Sequence, residues 1–183
     1  MADQPGGPPS YPAQQPVGSQ QPVAPQEPAG YFMGRKLGGW GARVGAYLLD
    51  LIFVSVPTVI LVAIAVIPVA VSSSDGGQPG QAELALMFSL LTAAFALQLV
   101  LVAYNRWYLQ GTTGQSWGKR IIGLRLVRMA DGQPVGGGMS FVRDVAHTID
   151  GLICNIGYLM PLWDDRRQTI ADKLLNTVVL DVR

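Results

Sequence analysis

Three apolar stretches separated by polar segments organise the chain. From Val44 to Val71, "VGAYLLDLIFVSVPTVILVAIAVIPVAV" carries one charge, Asp50, and exceeds the roughly 20 residues that cross a hydrocarbon core. Seventeen of its residues are Val, Ile, Leu or Phe. Each favours insertion by about 0.3–0.6 kcal/mol, which together outweighs the roughly 2.5–3.5 kcal/mol cost of one central Asp. The pattern predicts a transmembrane helix over 44–71, with Pro57 and Pro68 as points of kinking or termination because each removes a backbone donor. After the polar link 72–83, residues 84–104 carry no charge and only Gln98 as a strongly polar group, which predicts a second span. Its small residues Ser89, Ala93, Ala94 and Ala96 suit close helix contact. "YNRWY" (104–108), at its end, reads as an interfacial aromatic anchor.

The third stretch, 145–163, is decided by charge. None of the thirteen basic residues lies in the 72–83 link, whereas Arg35, Lys36 and Arg43 precede the first helix and six more run from Arg106 to Arg143. The excess of cations on one side of each span puts the N-terminus and the 105–143 region in the cytoplasm. A full third crossing would carry Arg166, Arg167, Lys173 and Arg183 to the other side, against that rule. A re-entrant element avoids the conflict, and Asn155, Gly157 and Pro161 supply places for a helix to break. The reading favours re-entry over a spanning helix.

The expected fold class is therefore an all-α, multi-pass membrane protein. Two transmembrane helices and a third membrane-embedded element, re-entrant or spanning, make up a membrane domain over 39–183 with small cytoplasmic helix and β-hairpin elements. Residues 1–38 are expected to form a disordered N-terminal tail, rich in Pro, Gln and Gly and too poor in large aliphatic side chains to offset the entropy of ordering. The tail lacks a basic region followed directly by an apolar one and so does not read as a signal peptide. It is either a docking ligand for proline-binding or cell-wall-associated proteins or a solvated tether.

Composition narrows the chemistry. Of 183 residues, 49% are hydrophobic and 14% charged, where soluble domains carry near 25% charged residues. A net charge of +1 gives no reason to expect nucleic acid. One cysteine, Cys154, and one histidine, His147, offer no disulfide and no metal-ligand spacing, so neither metal nor cofactor is expected.

The chain echoes itself. Residues 42–52, "ARVGAYLLDLI", set against 142–152, "VRDVAHTIDGL", superpose Arg43 on Arg143, Ala46 on Ala146 and Asp50 on Asp150. "QSWGKRIIGLRLV" (115–127) likewise resembles "QTIADKLLNTVVL" (168–180). If both copies fold alike, 123–128 and 176–182 pair as two short strands on one side of the bilayer, which again favours re-entry.

Positions i and i+7 of an α-helix lie on nearly the same face, about 10.5 Å apart along the axis, too far for direct contact. With the two Arg-x6-Asp helices side by side, Arg43 is expected near Asp144 or Asp150, and Arg143 near Asp50 or a backbone carbonyl. One reading makes these residues a staple between helices. The other makes Asp50 and Asp150 a cation- or proton-handling dyad, since two carboxylates in a low-dielectric site disfavour joint ionisation, with His147 either extending a relay or serving as a polar anchor. The Gly-Lys pair in "GTTGQSWGKR" (111–120) is not a phosphate loop: three residues, not four, separate Gly114 from Gly118, and Arg120 follows the lysine. No nucleophile-elbow pattern is present, and no enzyme activity is expected.

Taken together, Arg43, Asp50, "GQSWGKRIIGLRLV" and "RRQTIADKLLNTVVL" resemble the RDD family of bacterial membrane proteins, named for an arginine and two aspartates, over residues 40–181. The motif residues that carry the resemblance are Gly118, Lys119, Arg120, Gln168, Thr169, Asp172 and Lys173, and the second family aspartate falls on Asp172 or Asp150. The proline-rich leader is similar to the layout of bacterial proline-rich antigens of that family. What the resemblance implies is an inner-membrane protein proposed to move unidentified solutes, with sodium/proton exchange suggested for some members. Two functions are therefore expected as alternatives: a small ion or solute transport component using its buried Arg and Asp residues, or a non-catalytic accessory or scaffold subunit of a membrane complex. The partners would be the lipid bilayer, protein ligands of the tail, and a homo-oligomer or larger membrane complex, because so few membrane elements cannot enclose a pathway alone.

Overall fold

The computed structural model describes residues 27–153 and 155–183; residues 1–26, most of the expected tail, lie outside them. The two long apolar runs form helices α1 (Trp40–Ser74) and α2 (Gln81–Val102), joined by a turn and packed along one another. Both are long and apolar enough to cross a membrane. Ile60, Ile64 and Ile67 of α1 and Leu86, Phe88, Phe95 and Val100 of α2 are exposed, an arrangement that water penalises and acyl chains accept. Helix α1 runs unbroken through Pro57 and Pro68. Beside Pro57 the Thr58 hydroxyl donates to Gln98 Oε1 at 2.8 Å, so the polar residue of the second run ties the two helices together.

Helix α2 passes into a π-helical segment (Ala103–Leu109) and then α3 (Gln110–Thr113), which Gly114 ends at φ 77°. Helix α4 (Trp117–Ile122) begins after the Ser116 cap and stops at Gly123, φ 76°, from which strand β3 (Leu124–Arg128) leaves directly. Next come α5 (Gly137–Leu152), α6 (Ile156–Leu159), a 3-10 turn (Met160–Leu162), α7 (Ile170–Leu174) and strand β4 (Thr177–Asp181). The apolar stretch 145–163 is therefore not one helix. It belongs to α5, which starts well before it, and breaks near Asn155, whose φ of 61° takes the chain out of helical geometry. Pro161 lies in the 3-10 turn, whereas Gly157 sits inside α6.

The two echoed strands pair antiparallel, with Leu126 opposite Val179 and Val127 opposite Val178. Strand alternation sends Leu124, Leu126 and Val179 to one face, against Ala46 and Val135. Val127, Val178 and Leu180 go to the other, against Leu37. A slip of one residue would invert both faces, so the register is set by burial. Ahead of α1, residues Tyr31–Phe32 (β1) and Arg35–Lys36 (β2) form a small ladder. From it Leu37 bridges Leu180, and the Gly38 N–H donates to Val179 O at 2.8 Å. The boundary expected at residue 38 is thus too late: Leu37 is fully buried, and burying that side chain binds the end of the supposed tail to the sheet.

Truncating Leu126, fully buried between sheet and α1, is expected to cost about 2–5 kcal/mol as Leu126→Ala, while Leu86→Ala on the exposed face of α2 leaves stability near wild type. Chemical denaturation in detergent micelles, followed by tryptophan fluorescence, checks the contrast.

Candidate functional site

The first copy of the Arg-x6-Asp pattern sets Asp50 in the third turn of α1, turned away from the exposed face. All three of its hydrogen bonds come from the segment after α2. Asn105 Nδ2 donates to Oδ1 at 2.8 Å, the Gly118 N–H donates to the same oxygen at 2.8 Å, and the Ser116 hydroxyl donates to Oδ2 at 2.5 Å. The π-helical segment explains Asn105: its wider turn brings that side chain inward while Tyr104 and Tyr108 stay outside, stacked at 5.7 Å. Asn105 Oδ1 in turn accepts from the Trp117 N–H at 2.8 Å. Gly118 is required by space, because a Cβ there would collide with the Ala46 carbonyl oxygen of α1. The "GQSWGK" run is thus a receptor for a carboxylate of the same chain, not a nucleotide cradle.

In the second copy, Asp150 stands to α7 as Asp50 stands to α4. Its Oδ1 accepts from the Ile170 N–H in the first turn of α7 at 3.1 Å, and its Oδ2 lies 2.6 Å from His147 Nδ1. His147 also stacks on Tyr158, centroids 5.3 Å apart. Asp50 and Asp150 thus each hold the N-terminus of a different short helix, where the backbone dipoles favour negative charge. They share no hydrogen-bond partner among the described residues.

The two arginines of the echo meet on a third carboxylate. Arg43 Nη1 donates to Asp172 Oδ2 at 2.8 Å, and Arg143 Nε and Nη2 donate to Oδ1 at 2.9 and 2.8 Å. Thr177 Oγ1 adds a bond to Oδ1 at 3.1 Å. Neither arginine takes the partner expected of it, Asp144 or Asp150 for Arg43 and Asp50 or a carbonyl for Arg143. The reason is local: Thr169 caps α7, its hydroxyl accepting from the Asp172 N–H at 3.1 Å, and Asp172 returns the contact to the Thr169 N–H at 3.3 Å. This reciprocal cap aims a fully buried carboxylate between α1 and α5. Burial opposes its charge, but Arg143 and Arg43 outweigh that and hold Asp172 well below the usual carboxylate range. Asp144 instead takes Arg106 Nη2 at 2.9 Å and Trp107 Nε1 at 3.1 Å, which joins α5 to the end of the second long helix.

The remaining motif residues serve the frame. Gln168 donates to Thr177 O at 2.7 Å, Lys173 pairs with Asp164 at 2.5 Å, and Arg120 is exposed. Lys119 differs: its stem is half-buried, its amine is enclosed and donates to Gln110 Oε1, and burial with the nearby Arg143 charge pushes it down to about 7. Sequence reasoning missed Asn105 and Gln110 as site residues. Asn105 left a trace, a lone amide inside an aromatic anchor; Ser116 left another, a helix-capping residue ahead of Trp117.

Removing the acceptor shared by the two arginines leaves buried cations uncompensated. Asp172→Asn is expected to destabilise the protein by about 3–5 kcal/mol, and Arg43→Ala by less, because Arg143 still neutralises Asp172. Denaturant midpoints rank the two variants. Lys119 carries a pH signature. The unfolded chain holds this proton up to about 10.5 and the folded protein only to about 7, so between these values folding releases a proton and stability rises with pH. Lys119→Met removes that slope; the stability of wild type relative to the variant should therefore improve from pH 7 upward, and a constant difference would show a lysine charged throughout.

A model of the RDD family matches residues 37–176. The chain is 36% identical over 159 residues to "Proline-rich antigen" of Mycobacterium leprae (strain TN), covering 78% of this chain and 60% of that protein. It is 48% identical over 84 residues to "Proline-rich antigen homolog" of Mycobacterium tuberculosis (strain ATCC 25618 / H37Rv), covering 46% and 35%. To "Uncharacterized protein YxaI" of Bacillus subtilis (strain 168) it is 29% identical over 141 residues, covering 72% and 89%. The chain thus spans less than two thirds of either mycobacterial protein. No solved structure matches it. The family model takes in both long apolar helices and all three buried carboxylates, and the chain belongs to the RDD family.

Proposed function

We propose that this chain is a non-catalytic accessory or scaffold subunit of a membrane complex, anchored by an α1–α2 hairpin. The observation that carries the reading is occupancy: each oxygen of Asp50, of Asp150 and of Asp172 already has a hydrogen-bond partner within the protein. A carboxylate with both oxygens engaged by its own chain is suited to locking helices together, whereas ion exchange there would have to compete with those partners. The proline-rich N-terminal residues would supply the contact with partner proteins.

The sheet supports a topology for this subunit. Leu37 before α1, β3 after α2 and β4 near the C-terminus all pack in one unit, so the chain on either side of the hairpin lies on one side of the bilayer. Two crossings satisfy this, and a third does not. The distribution of Lys and Arg supports a cytoplasmic placement of that side.

A transport component is the second reading, and Lys119 favours it: an enclosed amine titrating near neutral pH beside Gln110 is suited to taking up and releasing a proton. In that case pairing with a second copy or another subunit would have to complete a pathway.

Deleting residues 1–30 is expected to change the set of proteins that co-purify with the chain, while Asp50→Asn with Asp150→Asn leaves ion-driven pH changes in vesicles unaltered. An unchanged co-purifying set, together with flux lost in the double variant, would reverse the order of the two readings.

A further inference from the structure

Helix α5 wears its amphipathic character inside out. Its protein-facing side carries Ser140, Arg143, His147 and Asp150, while Val142, Val145, Ile149 and Leu152 face outward, and Ile153, Ile156 and Leu159 extend the apolar face along α6. Leu152 is 82% exposed. In water such a plate would be a liability.

Attachments limit how deep this plate can go. Trp40 Nε1, at the first residue of α1, donates to Tyr158 O of α6 at 3.0 Å. Arg43 and Arg143 share Asp172, which levels α5 with the first turn of α1. On the other side α5 is held by the π-helical segment at the end of α2, through Arg106 and Trp107 to Asp144 and through the Trp107–Phe141 edge contact at 4.8 Å. Every one of these anchors lies at the end of the hairpin where the sheet sits, and none reaches its middle. The exposed Tyr47, Leu48 and Leu51 continue the apolar surface onto α1, and Trp163 and Tyr158 edge the plate with the amphipathic aromatic rings typical of a headgroup boundary.

We infer that α5 and α6 form a shelf lying in the plane of the membrane, with its apolar face sunk in the acyl-chain boundary of one leaflet and its polar face roofed by the protein's own ion cluster. The occupant of the plate is lipid, continuous with the lipid around α1. This inference rests on the one-sided topology proposed above and refines it: the third apolar stretch neither crosses nor dips to the core, but lies at a depth of about 5–10 Å.

The test uses the full chain with Cys154→Ser, reconstituted in phosphatidylcholine–phosphatidylglycerol vesicles. Single cysteines placed as Val145→Cys, Leu152→Cys, Leu159→Cys and, in the middle of α2, Phe95→Cys carry an environment-sensitive fluorophore. All four positions are exposed, so labelling disturbs no packing. Quenching by lipids nitroxide-labelled near the headgroup should exceed quenching by lipids labelled near the chain end at 145, 152 and 159, with the reverse order at 95. Deep quenching at 152 equal to that at 95 would overturn the shelf, as would full access of iodide at all three plate positions. Protection from both lipid and iodide would assign the plate to a protein neighbour and overturn it too. A reporter fused at Arg183 reads the topology separately: an external reporter sinks the one-sided reading itself, whereas deep quenching with a cytoplasmic reporter sinks only the shelf.

Discussion

A carboxylate removed from water must be paired or abandon its charge, and three are buried among the described residues, Asp50, Asp150 and Asp172. Asp172 is the one on which the others depend. Its contacts with Arg43 and Arg143 bring together α1, α5 and α7, elements more than a hundred residues apart at the extremes. Had either oxygen lacked a partner, the cost of desolvation would have fallen on the junction between the helices and the sheet. Because Thr169 and Thr177 add their bonds to those of the arginines, separating the junction requires several bonds to break together.

The duplicated pattern has a physical use. In each copy an aspartate from a long helix holds the first turn of a short one, and the short helix feeds a strand. Two such units placed face to face pair their strands and bury a small apolar core, which neither could do alone. At one aligned position the copies carry opposite charges, Lys119 in the first and Asp172 in the second. That difference breaks the symmetry: one copy supplies the acceptor for both arginines, and the other leaves an enclosed amine facing Gln110.

The charges fasten the sheet-bearing segment, the neighbouring ends of the two apolar helices and α5 to one another. Ions enclosed by protein give strong, directional bonds in surroundings of low dielectric.

What the sequence by itself determined was everything carried by local pattern. The two helices follow from runs of aliphatic residues, the strand pair from the repeated "QSWGKRIIGLRLV" and "QTIADKLLNTVVL", and the presence of charge within or beside apolar helices from Arg43, Asp50, Arg143 and Asp150. Periodicity also placed each arginine and aspartate on a common face. Only the tertiary structure decided who pairs with whom. Spacing within a helix says nothing of what a third element brings, and Asp172 arrives through a capping geometry whose aim depends on how α7 docks. Asn105 is turned inward by a π-helical segment with no simple sequence signature. The chain ahead of α1 is drawn into the fold by Leu37 and Phe32 and by backbone bonds from Gly30 and Gly38, all made to residues far along the chain. Local propensity is written in neighbours along the chain, whereas ion pairing and burial are settled by neighbours in space.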